Sequence, residues 1–150
     1  MSFFEDVFSE AAEGDDVEPL SQAEAFAAIA LALSAADGSV DDVEIENIVT
    51  YLRRMHLFRE FDTPHFVGLF DKIVRLLVKG GPELLIDAAR ESIPDDLKPT
   101  AFALSVDVAL ADGVIQPVEQ KLMSTLRTTL EIPDELALKI TEVMMIKNRG

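Results

Sequence analysis

Carboxylate residues recur at the same spacing in two separate parts of the chain. Asp37 stands in an Ala-Asp-Gly turn and is followed seven residues later by Glu44. Asp112 and Glu119 repeat this arrangement in a second Ala-Asp-Gly turn. Carboxylate oxygens are the ligands that hard divalent cations prefer. The spacing therefore predicts a metal site to which both turns contribute.

The same segments match the second half of an EF-hand calcium loop, in which a Gly makes the sharp turn and a final Glu binds the ion. The first half is missing, because its ligand positions hold Leu33 and Ala35 in one copy and Val108 and Leu110 in the other. Neither turn can form a complete calcium cage alone, but two facing half-loops can pool four carboxylates. Oxygen ligands of this kind suit calcium, magnesium or manganese better than zinc.

The two Asp residues are harder to explain by helix structure than the glycines that follow them. Gly38 and Gly113 suit the left-handed conformation that ends a helix. Asp37 and Asp112 face the negative end of the helix dipole there, which costs a few tenths to about 1 kcal/mol. A bound cation would reverse the sign of that interaction. The structural alternative is an Asx turn, in which the Asp accepts a backbone N–H two residues on.

The two Glu residues have an equally good structural explanation. If Asp41 is a helix N-cap, Glu44 stands three residues later, at the spacing of a capping box. In the second copy Gln116 takes the cap position and Glu119 the third helical position. The metal-binding and helix-capping interpretations of both Glu residues stay open.

Asp107 is a fifth candidate ligand. It is the one charged residue between positions 101 and 111, and its counterpart in the first copy is Ala32. Either it lies on the solvated edge of a helix, the usual place for an unpaired Asp, or it adds a carboxylate near the second turn.

The overall charge favours cationic partners. The chain has 150 residues, with 28 acidic and 13 basic side chains and a formal net charge of −15. Such a field repels nucleic-acid phosphates and attracts cations and basic proteins. We therefore expect no nucleic-acid binding and, as a partner, a protein with a basic surface.

The sequence predicts a cytoplasmic protein. There is no cysteine, which excludes disulfides, thiolate nucleophiles and cysteine-based zinc sites. The N-terminus lacks the basic start and apolar stretch of a signal peptide. The longest apolar run, 25–36, is too short to span a bilayer, so we expect no direct membrane insertion.

The elements that must position these residues are helices. No stretch alternates with period two between turn residues, so we predict an all-α fold. Thr63 and Pro64 suit an N-cap and a first helical position. Residues 20–150 are predicted to form one domain with about seven helices, over 21–36, 42–56, 63–79, 82–91, 94–111, 117–130 and 133–147.

Residues 1–19 are predicted to form a separate acidic segment with a short amphipathic helix. Its apolar residues recur at helical spacing. The alternatives for what they contact are the domain itself, a second copy in a homodimer, or a partner protein; docking on the domain is the usual fate of such a stripe. The stripe consists of Phe3, Phe4, Val7, Phe8 and Ala11.

The chain also repeats itself, since the alignment that places Asp37 on Asp112 also places Glu44 on Glu119. In this internal alignment each copy reads helix, Ala-Asp-Gly-x-[Val/Ile]-x-x-Val-Glu, helix. Two copies indicate two pseudo-symmetric helix-turn-helix halves of one domain, and not a long array of repeats. Such an arrangement is expected to bring the two turns close together.

The two turns, each with its trailing Glu and a preceding Ala/Leu-rich helix, resemble the TerB family of tellurite-resistance-associated proteins. The N-terminal domain of the membrane-bound J-protein DjlA has a related fold. The resemblance covers roughly residues 20–147 and rests on the segments 32–44 and 106–119 taken together. It implies an all-α fold of about seven helices, an acidic cluster suspected of binding a divalent metal, and a link to tellurite or general stress resistance.

We therefore expect a non-catalytic, TerB-like stress protein that binds a divalent cation at its paired turns. The alternative is an acidic helical interaction module in which the same residues only cap helices. An enzyme is disfavoured, because there is no cysteine, no Gly-rich phosphate loop and no supported Ser/His/Asp arrangement.

Overall fold

The computed structural model describes residues 19–149, apart from the side chain of Asp112. The amphipathic helix predicted within residues 1–19 falls almost wholly outside the described residues. In the described range the chain is helical and contains no strand, which confirms the all-α prediction. The α-helices are α1 (Gln22–Ser34), α2 (Asp42–Leu52), α3 (Thr63–Arg90), α4 (Lys98–Ala109), α5 (Pro117–Thr129) and α6 (Asp134–Lys147).

In the described range six α-helices stand where about seven were expected, because two of the predicted helices are joined in α3. Gly81 interrupts α3 with a non-helical backbone of φ 77° and ψ −175°, a region that is open essentially to Gly alone. Pro82 follows, and since it has no backbone N–H it suits the start of the second helical segment. The predicted boundary near residues 80–82 is therefore present as a kink.

Several helix ends differ by a few residues from the prediction. The N-cap of α3 is Asp62 and not Thr63, because the Asp62 side chain accepts the backbone N–H of His65 at 3.0 Å. A carboxylate at this end is also favoured by the helix dipole. Helix α2 ends at Leu52, four residues early, and a 3₁₀ turn follows at His56–Phe58. Pro99 lies in the first turn of α4, where a proline is tolerated.

Helix α1 forms the centre of the core. All side chains from 25 to 33 are at most 1% exposed, so this helix is covered on every face. It packs most extensively against α3 and then against α4. A helix with alanine at nearly every second position allows this, because small side chains let neighbouring helices approach closely.

The two Ala-Asp-Gly turns lead out of α1 and α4 in the same way. Gly38 has φ 90° and Gly113 has φ 83°, both left-handed. Helix α2 begins after the first turn and α5 after the second, at residues 42 and 117. The internal alignment thus relates the helix starts as well as the turns, and the correspondence of the two halves is approximate elsewhere. None of the helices in the described part of the chain has the length and apolar character needed to cross a membrane.

Candidate functional site

A cleft of about 190 Å³ lies between the two turns. Its walls come from the end of α1, from α2, from the end of α4, from the start of α5 and from the segments that follow α1 and α4. Three of the five predicted ligands line it: Asp37, Glu44 and Glu119. The cleft also includes Leu33, Ser34, Ala36, Asn47, Ile48, Tyr51, Val108, Ala111, Gln116 and Val118.

Asp37 forms the Asx turn that was the structural alternative to a ligand role. Its Oδ1 accepts the backbone N–H of Ser39 at 3.0 Å and the Ser39 hydroxyl at 3.1 Å. These bonds explain an Asp at a helix C-terminus without a metal. They engage one of the two carboxylate oxygens, so an Asx turn and a ligand role can coexist.

The Glu residues stand at helix starts, as the capping interpretation requires. Glu119 Oε1 accepts the backbone N–H of Gln116 at 3.0 Å. In the first copy Asp41 caps α2, and its Oδ1 accepts the backbone N–H of Glu44 at 2.8 Å. Both Glu residues thus occupy the third helical position, on the side of the helix that faces the cleft.

No group of three or more His, Cys, Asp or Glu residues stands close enough to hold a metal ion within the described part of the molecule. The side chain of Asp112 is outside that description, so the complete set of predicted ligands is not covered. The metal site at Asp37, Glu44, Asp112 and Glu119 therefore stays a prediction.

Asp107 lies elsewhere, on the face of α4 that meets the end of α6. Its Oδ1 accepts hydrogen bonds from the Nζ of Lys147 at 3.1 Å and the Nδ2 of Asn148 at 2.8 Å. Its side chain is 14% exposed and is not among the residues that line the cleft. Both partners belong to the far end of the chain, so no local pattern in the sequence indicates them.

Two polar residues of the cleft were not singled out from the sequence. Asn47 and Tyr51 follow Glu44 at intervals of three and four residues, so all three occupy one face of α2. That spacing is a signal that could have identified them. They supply an amide and a phenol beside the carboxylates.

One exposed valine, Val118, lines the cleft, and two more are its neighbours or counterparts in the sequence. Val43 and Val118 correspond in the internal alignment and precede the two cleft glutamates; they are 63% and 42% exposed. Val114, next to Gly113, is 62% exposed. The site is therefore an acidic cleft with an exposed valine in its wall.

Fold and site together define a class: an all-helical domain in which two helix–turn–helix units meet at a shared acidic cleft. The family model described as tellurite resistance protein TerB matches residues 23–141 of this chain. The chain therefore belongs to the TerB family, as its motifs indicated. No curated protein and no solved structure matches it significantly.

Proposed function

We propose that this protein is a non-catalytic member of the TerB family that binds a divalent cation in the cleft between its two Ala-Asp-Gly turns. The observation that carries the proposal is that carboxylates of both halves, Asp37 and Glu44 with Glu119, line one cleft. These three alone are not grouped closely enough to hold an ion, so the proposal requires Asp112 as a further ligand. A cytoplasmic role in tellurite or general stress resistance follows the family's description and is part of the same proposal.

The hydrogen bonds of the cleft leave room for a ligand role. The bonds described for Asp37 and Glu119 each engage one oxygen, Oδ1 and Oε1, and a carboxylate has a second. Ligands that are themselves held by hydrogen bonds are typical of metal sites, because the bonds fix the orientation of the ligand. The carbonyl end of α1 and a net charge of −15 add to the attraction for a cation.

Calcium, magnesium or manganese is the expected ion. The side chains in the cleft present carboxylate, amide and hydroxyl oxygens, and hard cations prefer these over the nitrogen and sulfur ligands that zinc takes. Among the described residues of the cleft, no His, Cys or Lys stands beside the carboxylates. A binding role therefore fits better than general acid–base catalysis near neutral pH.

The exposed valines favour a second candidate function, that of an acidic interaction module without a metal. Val118 lines the cleft and is exposed, and Val43 and Val114, beside Glu44 and Gly113 in the sequence, are exposed too. A basic partner protein could place a Lys or Arg side chain in the cleft and cover the valines with apolar residues. Burial of about 100 Å² of apolar surface would stabilise such a complex by roughly 2.5 kcal/mol.

The experiment is a titration with calcium, magnesium, manganese and zinc chlorides at constant ionic strength, following the thermal midpoint. We expect one of the first three ions to raise it. Above saturation the free energy of unfolding should grow by about 1.4 kcal/mol for each tenfold increase in the ion. Glu44→Gln and Glu119→Gln should each remove most of this gain.

Glu24→Gln is the matched control. Glu24 also stands at the third helical position and accepts a backbone N–H, that of Ser21 at 2.7 Å, but it lies outside the cleft. This variant should be less stable and keep the full response to the cation. If millimolar concentrations of every ion leave the midpoint of the unmodified chain unchanged, the cation proposal is wrong.

The second candidate function is tested by measuring the binding of a synthetic peptide of alternating lysine and leucine. Binding that is weakened by Val118→Ser as well as by Glu119→Gln would support the interaction module. A cation site predicts instead that Val118→Ser leaves the response to the ion unchanged.

A further inference from the structure

A second surface feature, independent of the acidic cleft, is an open groove between α2 and the first half of α3. Its cavity measures about 420 Å³. Apolar side chains form most of its walls, and Val67 at its side is 50% exposed. Three charged side chains and one hydroxyl also line it. The lining residues are Asp42, Ile45, Glu46, Val49, Arg53, Thr63, Phe66, Val67 and Phe70.

We propose that this groove binds the N-terminal segment of the same chain, with the stripe Phe3, Phe4, Val7, Phe8 and Ala11 facing Phe66, Val67 and Phe70. An amphipathic helix laid in an apolar groove is a common mode of recognition, because the groove removes the helix's apolar face from water.

The position where the described chain begins supports docking in cis. The carbonyl of Pro19 accepts a hydrogen bond from the Nζ of Lys72 at 2.9 Å, so the described chain begins beside the first half of α3. The groove lies on the other flank of the same helix, at residues 63–70. The eight residues 12–19 can extend to about 26 Å, roughly twice the diameter of a helix, so they can cross α3.

Charge supports the same pairing. Residues 1–19 contain seven acidic side chains and no Lys, Arg or His, although the whole chain has only 13 basic residues. Three of those 13 stand within seven positions of the sequence, Arg53, Arg54 and Arg59, all exposed. Of these, Arg53 lines the groove, as do the acidic residues Asp42 and Glu46. This is the densest basic stretch of the sequence, so the acidic residues of the segment are attracted to the Arg53 side of the groove and not to the side with Asp42 and Glu46.

The other half has an equivalent groove, but no residue of α3, the helix that Pro19 contacts, lines it. It lies between α5 and α6 and has a similar volume, about 410 Å³. In the internal alignment, however, Gln120, Ser124 and Thr141 stand where the first groove has Ile45, Val49 and Phe66. Both grooves are nevertheless lined by five apolar residues out of nine, so the position of residue 19, and not apolar character, favours the first groove.

The absence of native cysteine allows a clean crosslinking test on the full chain. We would make Ala11→Cys with Val67→Cys, two substitutions that keep both surfaces apolar, and follow disulfide formation under mild oxidation. The matched control is Ala11→Cys with Val143→Cys, because Val143 is similarly exposed but lies on α6. A monomeric disulfide should form at least about tenfold faster in the first pair, owing to its higher effective concentration.

The stripe itself is tested on the Ala11→Cys, Val67→Cys chain. Adding Phe4→Ser and Phe8→Ser should slow the disulfide to the rate of the control pair, whereas Ser9→Ala on the opposite helical face should not. Thermal midpoints of all variants would show that each is folded. Equal rates for the two cysteine pairs, or a disulfide that forms only between two copies, would overturn the proposal of docking in cis.

Discussion

At the scale of single residues, the Ala-Asp-Gly turns require their glycines for a backbone reason alone. Gly38 and Gly113 have φ values of 90° and 83°, and a Cβ added to either would meet nothing within 4 Å. The cost of a side chain there is therefore conformational and not steric. A left-handed backbone costs a residue with a Cβ about 1–2 kcal/mol.

We expect Gly38→Ala and Gly113→Ala each to lower the free energy of unfolding by about 1 kcal/mol or more. Gly68→Ala is the matched control, since it too has open space around it but lies inside α3 with an ordinary helical backbone. It should raise stability by about 0.5–1 kcal/mol. Urea denaturation measures all three. Equal effects at the three positions would contradict the conformational explanation.

Residue roles that depend on neighbours within four positions could be predicted from the sequence, and the others could not. Asp41 caps a helix, and Glu119 accepts a hydrogen bond from the backbone N–H of Gln116. Both contacts are local, and the spacing indicated both. The Asx turn at Asp37 was foreseen as an alternative for the same reason. The partners of Asp107 lie at the far end of the chain, on and just after α6, so only the tertiary fold reveals them.

At the scale of elements, an ion pair fixes the start of α1 against α3. Glu24 Oε1 accepts both the backbone N–H of Ser21 at 2.7 Å and the Lys72 Nζ at 3.0 Å. Burial raises the pKa of Glu24, but the Ser21 N–H and the Lys72 ammonium together outweigh it and leave the pKa below its usual range. The ionised carboxylate is thus the form that the folded state prefers.

The lowered pKa predicts how stability depends on pH. A carboxyl whose pKa is depressed by folding contributes stability above its unfolded pKa and loses it as the pH falls through the folded value. Glu24→Gln should therefore cost about 1 kcal/mol at pH 7, and the difference from the unmodified chain should shrink as the pH falls below the unfolded pKa of about 4.3 and through the lower folded pKa.

Asp95→Asn is the control for this effect. Asp95 also has a lowered pKa, through its hydrogen bond to Lys98, but its side chain is 96% exposed. Solvent screens such a pair, so the variant should change stability much less. Thermal melts between pH 3 and 8 provide the measurement. A Glu24→Gln cost that is unchanged at pH 3 would show that the pair does not act through charge.

The positions of the helices could be predicted well because their sequence signals are local. Whether two helices join into one, and how deeply a helix is buried, could not be predicted. Gly-Gly-Pro indicated a helix boundary near 81, but whether the two helices separate or continue past a kink depends on packing on both sides of Gly81. The Ala-rich composition of α1 indicated a helix. Its complete burial follows from the helices around it, α3 and α4 above all.

At the scale of the whole molecule, the repeat indicated that the two turns would meet, and residues from both do line one cleft. The distances between their carboxylates depend on how α2 and α5 pack against the central helix, which no spacing in the sequence encodes. This is why the sequence could identify the acids of the cleft but not whether they surround an ion.

The net charge of −15 makes a prediction of its own, which also separates general screening from a specific cation site. Self-repulsion destabilises a compact chain of one sign, and raising NaCl from about 0.01 to about 0.15 M shortens the screening length from about 30 to about 8 Å. We therefore expect the thermal midpoint to rise with NaCl. Calcium, magnesium or manganese chloride at the same ionic strength should raise the thermal midpoint further only if the cleft binds the ion. Glu119→Gln should remove this further rise and keep the response to NaCl.

Two exposed substitutions test the screening itself. Asp87 stands on α3 between Glu83 and Glu91, four residues away on each side, and like charges at that spacing repel. Asp87→Asn should stabilise the chain at low salt, by about 0.5 kcal/mol, and much less at high NaCl. Lys121→Gln, exposed on α5, should act in the opposite direction with the same dependence on salt, because it removes a positive charge from an acidic molecule. The contrary outcome is that the two variants change stability in the same direction, or by amounts that do not depend on salt. Either result would show that helix propensity, and not the electrostatic field of the whole molecule, determines their stability.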